Sequence, residues 1–460
     1  MKRTKRYFDR PSAGPRKSAQ AQARPVMPPP QPEDLPELTL AVGKPIYGGN
    51  FLARHEGKAI FVPLALEGEE VRVRLIDNRK NFATAELVAV EQPSTERIQP
   101  RCPHFGRCGG CHYQHTSYAQ QLAMKQAILT ESLERAKVEL PENIAILAAE
   151  SEDEAWGYRS RIRVAFDREG RPGFRSEHSH RIIALEQCPI SAPGLIKAMQ
   201  SLATLAQQKK IRLREAALFT TAAEEALAIT LLIERGPRVE LDALAAELKS
   251  ELPTLSGMEL ALAPMSRHEL PRTLARWGNS SLFYPVAGTS YRVDHGAFFQ
   301  INRWLVDAMV DEVVGEAEGK RAWDLYAGVG LFARALAKHY KKVVAVESSP
   351  LSTGALADNL EECKAKAVAE DTLRFLRTQQ ADDAPDRIVA DPPRTGLGAE
   401  VCGELLRLKA PLLTAVSCDP ATLARDLKLL TEGGYRITAL TLLDLFPQTY
   451  HMEAVVQLAL

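Results

Sequence analysis

Four short apolar segments in the last third of the chain constrain the fold most. They are Arg321–Tyr326, Lys342–Glu347, Arg387–Ala390 and Leu412–Ser417, each separated from the next by a stretch of helical character. Strands joined through helices lie parallel in a sheet covered on both faces. Residues 291–460 are therefore expected to form a doubly wound α/β domain, in which ligands bind at the carboxyl ends of the strands.

The residues at those ends carry chemistry. The first strand runs into Asp324-Leu-Tyr-Ala-Gly-Val-Gly330, and its glycines let backbone approach a ligand. Glu347 closes the next strand, 23 residues after Asp324, where an acid can hold ribose hydroxyls. The loop lacks the third glycine of a pyrophosphate grip, so S-adenosylmethionine, which has no phosphates, fits it better than NAD. Asp391-Pro-Pro-Arg394 ends the third strand, and the two prolines stiffen the loop that carries the carboxylate. Cys418 follows the fourth strand and precedes Asp419-Pro420, a place where a thiol can face the crevice as a nucleophile. A lone cysteine is more commonly a packing residue, the role expected of Cys363 and Cys402. Glu453 opens the final strand between Met452 and Ala454, flanks that would desolvate it and favour proton transfer; a salt-bridged strand end is the alternative.

Upstream, residues 37–93 read as short strands, Leu38–Val42, Ala59–Pro63, Glu70–Ile76 and Phe82–Val90, separated by Gly and Asn turns. A region of this size suits a small OB-like barrel, a common single-strand nucleic-acid binder. Residues 94–290 read as an α+β central domain with a helix at Tyr118–Ala136 and an Arg-rich hairpin near 156–181. Cys102, Cys108 and Cys111, with Cys188 after 76 intervening residues, supply the four thiolates an iron–sulfur cluster needs. Four cysteines also satisfy zinc, although the spacing is not that of a paired C-x2-C ribbon.

Residues 1–36 are basic and Pro-rich and are expected to be disordered. The whole chain balances 58 basic against 58 acidic residues, so nucleic-acid binding would rest on local charge, not on a global polycation. No apolar run approaches a bilayer span, and seven cysteines are too few for a disulfide scaffold. A cytoplasmic monomer with no membrane partner is the expectation.

Taken together, these residues resemble the RNA uracil-C5 methyltransferase family, and in particular its bacterial iron–sulfur members that act on 23S ribosomal RNA. The resemblance spans about residues 38–460. It implies that the barrel is a TRAM domain, an RNA-binding module, and that Cys102, Cys108, Cys111 and Cys188 hold a [4Fe–4S] cluster. It implies that Gln300, Tyr326, Glu347 and Asp391, with Asn359 and Asp371, contact S-adenosylmethionine. By the same resemblance Cys418 is the nucleophile, Glu453 the proton acceptor, and 23S RNA the partner. Two positions depart from the family pattern. Asp419 stands where Asn is usual and would set a negative charge beside the thiol, and Leu331 stands where some members have a cofactor-contacting Asn. The same chemistry on transfer RNA and a non-catalytic RNA-binding protein are the competing readings. A radical methylthiotransferase is disfavoured, because its cysteine trio is spaced C-x3-C-x2-C.

Overall fold

The computed structural model describes residues 37–176, 179, 181–234, 239–264 and 269–460. The basic tail expected over 1–36 lies outside the described residues.

Five strands, β1 (Glu37–Ile46), β2 (Asn50–His55), β3 (Lys58–Pro63), β4 (Glu70–Asn78) and β5 (Phe82–Gln92), close into a barrel in the order β1-β2-β3-β5-β4. The period-two pattern of β4 sends Val71, Val73 and Leu75 inward, while Arg72 stays outside. There they meet Leu40, Phe51, Ile60 and Val62 in one apolar cluster that Tyr113 closes from outside the barrel.

Helix α1 (Tyr118–Arg135) starts where the Ser117 side chain accepts from the Gln120 amide. The short β6 (Ala145–Leu147) follows. Then β7 (Arg161–Phe166), β8 (Pro172–Arg175), β9 (Ile182–Ala184), α2 (Pro193–Gln208), β10 (Leu213–Thr220), β11 (Leu227–Ile233), α3 (Leu241–Glu251), β12 (Leu255–Leu262) and β13 (Arg272–Gly278) build the central layer. Its sheet has the order β13-β12-β11-β10-β7-β8-β9, and α2 and α3 share its apolar cluster. The hairpin β14 (Ser281–Val286) and β15 (Thr289–Asp294) lies between this layer and the catalytic one.

The remaining elements are α4 (Val306–Val314), β16 (Gly319–Leu325), α5 (Leu331–His339), β17 (Tyr340–Glu347), α6 (Thr353–Leu360), β18 (Ala365–Ala369), α7 (Thr372–Thr378), β19 (Arg387–Ala390), α8 (Gly398–Leu408), β20 (Leu412–Ser417), α9 (Pro420–Glu432), β21 (Arg436–Leu443) and β22 (Glu453–Ala459). The sheet runs β18-β17-β16-β19-β20-β22-β21-β6, with β22 alone antiparallel to its neighbours. This is the doubly wound α/β domain that the strand pattern implied. From β16 the chain winds outward through β17 and β18, then returns to β19 on the other side. The switch point between β16 and β19 opens a crevice at the carboxyl edge.

Two pieces of the segment read as central pack with the catalytic sheet instead. β6 joins its edge parallel to β21, and apolar residues of α1 (Ile128, Leu129, Leu133) enter the core cluster that also holds Leu423 and Leu427 of α9. Short apolar segments do not declare their partner sheet, because pairing depends on edges formed much later in the chain. Among the described residues no helix is long and apolar enough to cross a membrane.

Candidate active site

The glycine loop after β16 is shaped by backbone conformation. Tyr326, Gly328 and Gly330 all have positive φ, at 63°, 56° and 91°. A Cβ at Gly330 would come within 2.8 Å of Leu356, so both its φ and the close packing of α6 call for glycine. Glu347, at the end of β17, folds back on the loop: one carboxylate oxygen accepts from the Gly328 amide at 2.8 Å, the other from the Ser349 amide at 2.6 Å. Asp324 is fully buried beneath this loop, and burial, with Asp391 and Glu347 nearby, pushes its carboxyl well above the ordinary range.

Glu347 and Asp391 thus place acidic side chains at one end of the crevice, above the buried Asp324. A ligand with phosphates would be repelled there, whereas S-adenosylmethionine brings a sulfonium and an ammonium. The donor set therefore fits that cofactor. Gln300 is buried in the loop between β15 and α4, and Tyr326 lies beside Thr372 and Asp371. The other two expected contacts are engaged in local structure. Asp371 caps α7 by accepting from the Arg374 amide at 3.0 Å. The Asn359 amide oxygen accepts from the Arg292 N–H at 2.8 Å, and its nitrogen donates to the carbonyls of Arg292 and Val329 at 2.9 and 2.8 Å. Asn359 holds hairpin and glycine loop together from a buried position. Leu331 turns into the apolar core at the start of α5.

Across the crevice, the pairing of β20 with β22 sets Ser417 against Ala454. Continuing that antiparallel register by one residue brings Cys418 opposite Glu453. Cys418 is half-buried, and Glu453 is 6% exposed between buried Met452 and Ala454. Burial pushes the Cys418 thiol up to about 11, with Glu453 and then Asp391 adding to the rise, while the Arg394 guanidinium opposes it. Glu453 is raised well above the carboxylate range by burial and by Asp391, again opposed by Arg394. Burial takes Asp391 up to about 7. Thiol and two carboxyls therefore share one desolvated cluster, with the exposed Arg394 guanidinium at its edge.

Asp419 behaves differently from its sequence expectation. Its carboxylate accepts from the amides of Ala421 and Thr422 at 3.0 and 2.9 Å, capping α9, and the acids that bear on the thiol are Glu453 and Asp391. Arg394 enters the sequence reading only as the last residue of the Asp-Pro-Pro loop. In the structure it is the cation of the cluster, and its guanidinium lies 3.4 Å from the His451 ring nitrogen.

The loop before Glu453 is anchored from α1. Lys125, fully buried, pairs with the equally buried Asp444 and donates to the Phe446 carbonyl at 3.0 Å. The Tyr118 hydroxyl donates to Asp444 at 2.8 Å. Gln121 makes two hydrogen bonds to Gln448, whose own φ is 69°.

Cys102, Cys108, Cys111 and Cys188 line a single cavity of about 280 Å3 with Arg159 and Gly110. All seven cysteines are free thiols, and the Ser191 hydroxyl donates to Cys188 Sγ at 3.2 Å. Among the described residues no group of three or more His, Cys, Asp or Glu stands arranged to hold a metal ion.

A doubly wound sheet with an acid-lined crevice at its switch point, behind an RNA-type barrel, defines an S-adenosylmethionine-dependent RNA methyltransferase. The particular family follows from comparison with known proteins. Residues 117–460 match the tRNA (Uracil-5-)-methyltransferase model and residues 37–88 the TRAM domain, and the chain belongs to this uracil-C5 methyltransferase family. It is 33% identical to the 23S rRNA (uracil(1939)-C(5))-methyltransferase RlmD of Shewanella amazonensis, over 91% of this chain and 94% of the relative. An RlmD of Aeromonas salmonicida is 32% identical over 88% and 92%. An uncharacterized RNA methyltransferase of Streptomyces avermitilis is 30% identical over 91% and 97%. The crystal structure of Pyrococcus abyssi tRNA (uracil-54, C5)-methyltransferase with S-adenosyl-L-homocysteine has the same fold, with a TM-score of 0.73 at 24% identity over 91% of this chain and 99% of that one.

Proposed function

We propose that this methyltransferase modifies C5 of a uridine in 23S ribosomal RNA through a covalent adduct on Cys418, with Glu453 as proton acceptor. The observation that carries the reading is the β20–β22 register, which sets a half-buried thiol and a buried carboxylate across from each other at the crevice mouth.

C5 of uracil is a weak nucleophile. Addition of the Cys418 thiolate to C6 turns the C5–C6 double bond into an enolate, with electron density on C5. S-adenosylmethionine, when bound, supplies an electrophilic methyl group. Gln300, Tyr326, Glu347 and Asp391 would hold it. Glu453 then takes the C5 proton, and the electron pair it releases reforms the C5–C6 bond and expels the thiolate. A carboxyl with raised proton affinity suits that task, and Arg394 keeps both anions accessible. The target base has to leave any stack to reach this depth, so a loop or flipped uridine is the fitting substrate.

Cys102, Cys108, Cys111 and Cys188 would hold a [4Fe–4S] cluster. The four thiols line one cavity, with the Cys188 thiol close enough to act on those of Cys102, Cys108 and Cys111. Their spacing, three in one loop and one far along the chain, is not that of a paired C-x2-C zinc ribbon. Arg159 offers a cation to an anionic cluster. The reading of 23S RNA as substrate leans on the RlmD relatives.

Nucleoside mass spectrometry tests the proposal. Unmodified 23S and transfer RNA transcripts are incubated with the protein and S-adenosylmethionine. 5-Methyluridine in 23S RNA is the expected result. Its appearance in transfer RNA alone would move the substrate, and its absence from both would overturn the activity.

A further inference from the structure

The barrel touches the backbone of the proposed nucleophile directly. Tyr47 sits in the tight turn between β1 and β2, and its hydroxyl donates to the Cys418 carbonyl at 2.9 Å, a contact between residues 371 apart in sequence. The ring is held in place as well. It stands edge-on to Tyr450 at 5.3 Å, and Tyr450 in turn packs on His451 at 4.2 Å and meets His112 at 4.6 Å. Gly49, in the same turn, has φ 82°, and a Cβ there would come within 2.9 Å of His112, so the turn is pressed against the segment it docks on. A second tie, Lys44 to Glu131 on α1, holds the barrel at another point.

The position of that carbonyl matters. The β20 ladder ends at Ser417, and Asp419 is already the cap of α9. Cys418 is thus the hinge between strand and helix, and rotation of its peptide unit would swing the thiol relative to Glu453. A hydrogen bond from outside the sheet fixes that rotation. Burial and the nearby Asp419 push the Tyr47 phenol upward, so it stays a donor throughout the working range.

We propose that Tyr47 is a positioning residue for methyl transfer: the barrel, through this one hydroxyl, sets the peptide unit that aims the Cys418 thiol. The inference rests on the reading of Cys418 as nucleophile. It gives the barrel a role in chemistry in addition to RNA binding. A misplacement of about 1 Å at a reacting group can cost on the order of 100-fold in rate, and loss of one restraint on a hinge otherwise held by strand and helix should show part of that.

The test is Tyr47→Phe, which removes one oxygen and keeps the ring packing. It uses full-length protein and an RNA that the wild type methylates, in two forms: unmodified for turnover, and with 5-fluorouridine at the target for trapping. Fluorine cannot be abstracted as the C5 proton is, so the adduct accumulates and its rate of formation reads the chemistry. Expected are adduct formation and kcat slowed about tenfold, KM for RNA and for S-adenosylmethionine within about twofold of wild type, and recovery with 4-aminophenylalanine at position 47, which restores a donor. All are read below the melting temperature of each variant. Wild-type trapping in Tyr47→Phe overturns the proposal. So does a rise in RNA KM with kcat unchanged, which would make the barrel a tether only, or failure of the aniline donor to rescue. Cys418→Ala run alongside separates the two claims. If it still methylates, the nucleophile reading fails; if it is inert while Tyr47→Phe matches wild type, only the positioning role fails.

Discussion

Replacing Lys125 by Met should be among the most destabilising single changes in the catalytic layer. Lys125 and Asp444 are both wholly excluded from solvent, and the pair ties α1 to the loop that leads into β22. Burial alone lowers the proton affinity of Lys125, and the Asp444 carboxylate opposes that shift. Removing the cation leaves a buried carboxylate with only the Tyr118 hydroxyl as side-chain partner, at 2.8 Å. Breaking a buried pair from one side costs about 3–5 kcal/mol, whereas replacing both partners by apolar groups of similar volume is often near neutral. Lys125→Met is therefore expected to lose ~4 kcal/mol, and Lys125→Met/Asp444→Leu to regain most of it. Urea unfolding followed by circular dichroism reads the difference as a shift in midpoint at unchanged slope. The cycle should return a coupling of at least about 2 kcal/mol. A cost below about 1 kcal/mol for Lys125→Met, or costs that simply add in the double variant, would refute the reasoning.

Arg394→Gln removes the cation that opposes the upward shifts of Cys418 and Glu453. Both anions become harder to form, so the rising limb of the pH–rate profile should move to higher pH, and single-turnover methylation at pH 7 should fall about tenfold or more. Asp391 is raised from 3.8 to about 7. The folded state thus holds a proton that the unfolded state releases, and stability falls as pH rises through that window. Asp391→Asn should flatten this slope, seen as a smaller change in urea midpoint between pH 4 and pH 7. Anaerobically purified protein should carry about four iron and four sulfide per chain, with the visible absorbance of sulfur-to-iron charge transfer, and Cys188→Ser should lose both. One zinc per chain would exclude the cluster.

The catalytic sheet was legible because its strands are continuous apolar runs, each ended by glycine, acid or cysteine. That pattern located β16, β17, β19 and β20, and with them the loop, Glu347, Asp391 and Cys418. The barrel was legible for a different reason, the clean alternation of β4. Its second strand, Asn50–His55, was not read, since only Phe51 and Ala53 point inward and its ends are polar. What sequence could not supply was relation. The Cys418–Glu453 juxtaposition comes from a register between strands. The engagement of Asn359 with Arg292 depends on where the hairpin packs. The roles of Arg394 and Tyr47 come from contacts across 57 and 371 residues. Asp419 carried a visible signal: an Asp before a proline is the mark of a helix cap, and it ranks above charge repulsion as a reading of that position.

The most direct test of the account is identification of the residue bonded to the base. RNA with 5-fluorouridine at the methylated position would be incubated with the protein and S-adenosylmethionine, digested with protease and nuclease, and examined by tandem mass spectrometry. The account predicts a methylated fluorouridine nucleotide on the peptide containing Cys418, and none in Cys418→Ala. A nucleotide on another residue, or methylation of normal RNA by Cys418→Ala at the wild-type rate, would contradict it.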